Sequence, residues 1–147
     1  MLPTIILRHK YENLKKCSLS GLEKREDMRF YPYPKAVLPD LSSYIVLSLD
    51  APILTKEDAG YGLFLIDGTW NYAKPMFTSL KPPFLVRSLP AHYETAYPRR
   101  QTGCEDPKRG LASIEALFLA YHLTERDTQG LLDHYYWKNL FFQKNQL

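Results

Sequence analysis

The chain has 147 residues, 45% of them apolar and 14% aromatic, with a formal net charge of +3. That length and apolar share suit one domain with a real core, spanning residues 1–147. The mild basic excess permits a polyanionic partner without demanding one, and falls well short of a histone-like tail. No apolar run approaches the roughly 18 residues of a membrane span, and the first residues do not read as a signal peptide. Cys17 and Cys104 lie far apart and form no Cys-x-x-Cys pair, so neither a zinc ribbon nor a redox motif is expected. A reducing, cytoplasmic setting and no membrane partner follow as the expectation.

In chain order, Thr4 to Leu7 reads as the first strand. Phe30 to Pro34 reads as an extended region held by its prolines. Tyr44 to Leu49 is a second strand. Thr55-Lys56-Glu57-Asp58 has the form of a capping box, with Thr55 as N-cap. Leu63 to Ile66 and Phe84 to Arg87 are further strands. Lys81 to Gly110, rich in proline and charge, has the composition of a long functional loop. Leu111 to Leu123 carries Leu111, Ile114, Leu117, Phe118 and Tyr121 on one helical face. Asp127 to Lys144 is a second helical segment, with Leu131, Leu132, Tyr135 and Tyr136 apolar. The strands are continuously apolar, which suits parallel strands buried on both faces. Strands alternating with helices predict one α/β domain.

The sharpest local feature is Leu63 to Ile66 followed by Asp67-Gly68-Thr69-Trp70. An apolar strand ends in an acid, a glycine, a hydroxyl and a large aromatic. Ligands of open α/β sheets bind just beyond the carboxyl ends of strands. There an acid can accept a hydrogen bond or a proton, and glycine admits close backbone approach. The same residues also read as a helix cap, a turn and a core tryptophan. Arg109 to Ala116 opens a helix with small residues, whose free N–H groups suit a ligand oxygen or close packing. Glu115 there either matches the helix dipole or fixes a neighbouring loop. Two basic clusters are interleaved with tyrosines. Arg8, Lys10, Lys15 and Lys16 belong to the first; Arg99, Arg100 and Lys108 belong to the second. Cations that track phosphates beside rings that stack on bases suit RNA, and equally describe a solvated surface. His9, His92, His122 and His134 show no metal-ligand spacing, so no metal is expected.

Lys16-Cys17-Ser18, Val46-Leu47-Ser48, Ile66-Asp67-Gly68-Thr69-Trp70 and Leu111-Ala112-Ser113-Ile114-Glu115-Ala116 occur in that order. The ordered set resembles the DTW-type aminocarboxypropyltransferases, and within them the ribosome-maturation enzymes that modify a small-subunit rRNA pseudouridine. The resemblance covers nearly the whole chain. It implies a SPOUT-like parallel sheet flanked by helices, with a deep trefoil knot in the C-terminal half. It also implies S-adenosylmethionine as donor of its 3-amino-3-carboxypropyl group, with methylthioadenosine released. By the same resemblance Ser18 offers a hydroxyl near the cofactor, Leu47 and Leu49 wall the adenine, and the Ile66 backbone meets the ribose. Gly68 and Thr69 belong to the same binding segment, and Trp70 covers the methyl and sulfonium region. Leu85, Arg109, Leu111, Ala112 and Ser113 close the pocket, and Asp67 is the candidate base for the uridine N3 proton. The expected partner is RNA, rRNA ahead of tRNA, and the expected state is a monomer. Two segments depart from the family. Asp67-Gly68-Thr69-Trp70 stands for Asp-Cys-Ser-Trp, and Leu89-Pro90-Ala91-His92-Tyr93-Glu94 for Asn-Pro-x-Asn-Tyr-Gly. The N-terminal cysteine cluster of the tRNA-directed relatives is absent. A methyltransferase on the same scaffold and a non-catalytic assembly factor are the competing readings.

Overall fold

The computed structural model describes residues 2–10, 19, 21–68, 70–97 and 110–147, without the side chains of Trp70 and Asn71. Among the described residues five strands form one parallel sheet: β1 (Thr4–His9), β2 (Met28–Tyr33), β3 (Tyr44–Leu47), β4 (Gly62–Asp67) and β5 (Leu85–Arg87). Their spatial order is β2-β1-β4-β3-β5. Helix α1 (Trp70–Thr78) follows β4, and α2 (Ser113–Leu123) and α3 (Lys138–Asn145) close the chain.

Alternate side chains of each strand feed two cores. Ile6, Ile45, Leu63 and Leu65 meet α2 and Phe141 of α3 on one face. Ile5, Leu7, Val46 and Phe64 meet Met76 of α1 on the other. Both faces are covered, which is why the strands carry unbroken apolar runs. The four strands expected from the sequence all form, within one or two residues of their expected ends.

Three local expectations change. The Phe30–Pro34 region is extended as expected, but Met28–Tyr33 also pairs with β1, Pro32 opposite Arg8. A proline is tolerated there because β2 is an edge strand and can lack one donor. The helix expected from Asp127 shrinks to Lys138–Asn145. Gly130 takes φ +81 and stops any helix before it. The chain then advances through successive i to i−3 turns, such as Leu131 N–H to Thr128 O and Tyr135 N–H to Leu132 O. Leu131, Leu132 and Tyr135 are buried as expected, but Tyr136 is 85% exposed. Finally, α1 was not expected. Its sequence holds Pro75 within the helix, a residue that removes one backbone bond.

The capping box at Thr55 forms around a single 3-10 turn, Lys56–Asp58. The Glu57 N–H donates to Thr55 Oγ1 at 3.3 Å, and the Thr55 N–H donates to Asp58 Oδ2 at 3.1 Å.

Candidate functional site

The C-terminal end of β1 leads toward β2, on one side of the sheet, and that of β4 leads through α1 toward β5, on the other. The neighbouring strands β1 and β4 therefore form a topological switch point, where parallel sheets open a crevice for ligands. A cavity of about 520 Å³ lies beside it, at the carboxyl ends of β4 and β3 rather than of β1, within the size range of small-molecule sites. Leu47, Ser48, Leu49 and Asp50 line it from the end of β3, and Leu65, Ile66 and Gly68 from the end of β4. Ala73, Lys74, Phe77 and Thr78 of α1 form another wall. Leu111, Ser113 and Ala116 face them from the start of α2, and Leu89, Pro90 and Tyr93 lie along the chain beyond β5.

Leu47, Leu49, Ile66, Gly68, Leu111 and Ser113, anticipated as pocket residues, thus share one cavity. Two others do not line it. Leu85 stands opposite Ile45 in the sheet and packs into the core beneath. Leu89, four residues further on, takes the lining position. Ala112 is buried and turns into the same core. Its N–H is the first donor of α2, given to Glu115 Oε1 at 2.8 Å. Ser18, Thr69 and Arg109 lie outside the described residues, as does the Trp70 side chain.

Asp67 ends β4 but does not line the cavity. Its side chain is 3% exposed and bound on both oxygens. Arg8 Nε donates to Oδ2 at 3.1 Å, and Ser113 Oγ donates to Oδ1 at 3.0 Å. Arg8, expected to contact RNA, instead serves this interior pair. It also reaches Glu23 at 3.2 Å and lies over the Phe30 ring at 4.6 Å, with a side chain only 12% exposed. A guanidinium committed to two carboxylates and a ring is not presented to phosphates. Lys10, the next basic residue, is exposed. Lys15, Lys16, Arg99, Arg100 and Lys108 lie outside the described residues.

Glu115 settles the choice left by its sequence position. Fully buried, it accepts from the Ala112 N–H and Thr95 Oγ1 on one oxygen and from the Ala96 N–H and Tyr135 hydroxyl on the other. It therefore clasps the segment after β5 and the turn before α3 onto the first turn of α2. Burial, and then the Glu115 carboxylate, push the Tyr135 phenol well above its ordinary pKa of 10.0. Because the folded pKa is raised, this contribution to stability is complete below pH 10 and is lost as pH rises beyond it. Alkaline titration should accordingly unfold the wild type with a steeper loss of stability above pH 10 than the Tyr135→Phe variant shows. Equal slopes in denaturant melts would count against it.

Sequence reasoning missed the α1 wall. The only signal was that Ala73, Lys74, Phe77 and Thr78 recur at helical spacing after the Asp67–Trp70 segment.

No family model and no curated protein sequence matches the chain. Among solved structures, it is similar to that of the SAM-dependent rRNA:acp-transferase Tsr3 from Vulcanisaeta distributa. The TM-score is 0.73 at 24% identity, over 99% of this chain and 80% of that one. The likeness establishes the architecture: an α/β fold with a parallel sheet flanked by helices.

Proposed function

We propose that the chain transfers the 3-amino-3-carboxypropyl group of S-adenosylmethionine to a (pseudo)uridine of structured RNA, small-subunit rRNA first. One observation carries this reading. Six of the residues set aside for the donor, Leu47, Leu49, Ile66, Gly68, Leu111 and Ser113, line the cavity at the carboxyl edge of β3 and β4. The similarity of the whole chain to an rRNA:acp-transferase structure supports it. The same reading takes residues 1–147 as one SPOUT-like domain with a trefoil knot in its C-terminal half, acting as a cytoplasmic monomer. The wider DTW grouping belongs to the proposal as well.

The cavity fits such a donor in size and in lining. Leu47, Leu49 and Phe77 supply apolar walls for an adenine, while Ser48 and Ser113 offer hydroxyls. Gly68 is needed for packing, since a Cβ there would lie 3.2 Å from Met76 Sδ and 3.4 Å from His9 Cβ. When bound, S-adenosylmethionine supplies an alkyl group for a base nitrogen, and methylthioadenosine remains. The protein's own part is positioning, since in-line attack depends on alignment within fractions of an ångström. Asp67 orients Ser113 at the cavity wall rather than meeting the acceptor itself, so its role is to position. No helix among the described residues is long and apolar enough to cross a membrane.

Calorimetry with S-adenosylmethionine is expected to show saturable binding, and incubation with substrate rRNA to release methylthioadenosine. S-adenosylhomocysteine as the by-product would make the enzyme a methyltransferase. Absence of binding at millimolar ligand would remove both activities and leave an assembly factor.

A further inference from the structure

Four tyrosines among the described residues are buried: Tyr44, Tyr93, Tyr121 and Tyr135, none more than 9% exposed. Three of their hydroxyls are hydrogen-bonded inside the protein. Tyr44 donates to the Pro3 carbonyl at 2.8 Å, Tyr121 meets Thr4 Oγ1 at 2.7 Å, and Tyr135 donates to Glu115 at 2.8 Å. Tyr93 is the exception. Its ring leans on His92 at 4.2 Å and its N–H donates to the Pro90 carbonyl at 3.5 Å, but its hydroxyl has no partner among the described residues. A buried hydroxyl without a partner costs roughly 1–3 kcal/mol and calls for a specific reason. Tyr93 lines the cavity, so a bound ligand can supply the missing partner.

The phenol is also held in place by its own chain. Glu94, the next residue, donates its N–H to Asn145 Oδ1 at 2.7 Å and accepts from Asn145 Nδ2 at 2.9 Å. Thr95 Oγ1 and the Ala96 N–H then donate to Glu115. A group fixed in advance gives up little freedom when it binds.

We infer that the Tyr93 hydroxyl is the hydrogen-bonding group for the adenine of the donor. This rests on the transferase reading and adds to it the residue that recognises the donor's base. The wall formed by this segment is otherwise apolar, made of Leu89 and Pro90, whereas Ser48 comes from the end of β3 and Lys74 and Thr78 from α1. Apolar surface with one placed polar group is the usual setting for a flat heterocycle. The aminocarboxypropyl chain has to stay open to an RNA base, so it belongs at the mouth and not against a buried phenol. A phenol both donates and accepts, and adenine offers ring nitrogens to the first and an amine to the second.

The test compares wild type and Tyr93→Phe in calorimetric binding of S-adenosylmethionine, methylthioadenosine and free adenine, the last by competition. The variant should weaken all three by the same factor, about 3- to 10-fold, the worth of one neutral hydrogen bond. Without ligand it should melt where the wild type does, because no bond within the protein is lost, whereas Tyr135→Phe should melt lower. Wild-type affinity of Tyr93→Phe for the three compounds would overturn the assignment. So would a loss confined to S-adenosylmethionine, which would put the phenol on the amino-acid half, or a lower melting point of the ligand-free variant, which would reveal a partner within the protein. If the common loss appears but S-adenosylhomocysteine is the by-product, the adenine contact stands and the aminocarboxypropyl reading alone fails. If methylthioadenosine forms while Tyr93→Phe binds like the wild type, the transferase reading stands and the contact alone fails.

Discussion

Replacing Glu115 by alanine is expected to remove on the order of 4 kcal/mol of folding stability. The carboxylate is fully buried and takes hydrogen bonds from two backbone N–H groups and two hydroxyls. Truncation leaves all four donors facing a void. Each buried donor left without an acceptor costs roughly 1–3 kcal/mol, reduced by whatever water can enter. For a chain of this size, 4 kcal/mol corresponds to a fall of about 10 °C in Tm. Glu115→Gln keeps the shape but points an amide NH2 at two other donors, so its loss should be intermediate. Chemical denaturation of the three proteins measures the series. A Glu115→Ala variant within about 1 kcal/mol of the wild type would show that the clasp contributes little.

The second large effect concerns Asp67 and Arg8. Asp67→Ala takes from a mostly buried guanidinium its buried carboxylate and leaves it the more exposed Glu23, so the loss should fall at or below the lower end of the roughly 3–5 kcal/mol that breaking a buried pair costs. Removing both partners together, as Arg8→Met with Asp67→Leu, should recover most of that loss, because two desolvated charges disappear along with their attraction. The activity of Asp67→Asn separates positioning from proton transfer. A positioning residue predicts a raised KM for the donor, through a displaced Ser113, with turnover and its pH profile largely kept. A fall in kcat of about 100-fold or more with the acid limb of the profile gone would make Asp67 the base after all.

The sequence made the sheet legible because each buried parallel strand writes itself as an apolar run, as at Ile5 to Leu7 and Leu63 to Ile66. It hid β2, since Arg29 and Pro32 interrupt its run and only its edge position excuses them. It hid α1 behind Pro75 in the same way. Much of the candidate site was legible through motif order: Leu47, Ile66, Gly68 and Ser113 meet in one cavity. What order could not convey was direction. Asp67 and Gly68 are neighbours, yet Gly68 lines the cavity while the Asp67 side chain turns toward Arg8. Nor could a basic cluster reveal that Arg8 spends its charge inside the protein. That outcome depends on which strand β1 lies beside, a long-range fact that no local pattern encodes.

The edge strand β2 has one more consequence. An open parallel sheet offers its outermost strand as a template on which a foreign strand can assemble. Here Pro32 withholds an amide hydrogen, and Arg29 curls back to donate to the carbonyls of Met28 and Glu26. The border strand thus lacks one amide donor, and one of its carbonyls, that of Met28, is already occupied. Fibril-like growth from this side is discouraged by two residues whose cost to strand formation is small at a border and would be prohibitive in the middle of the sheet.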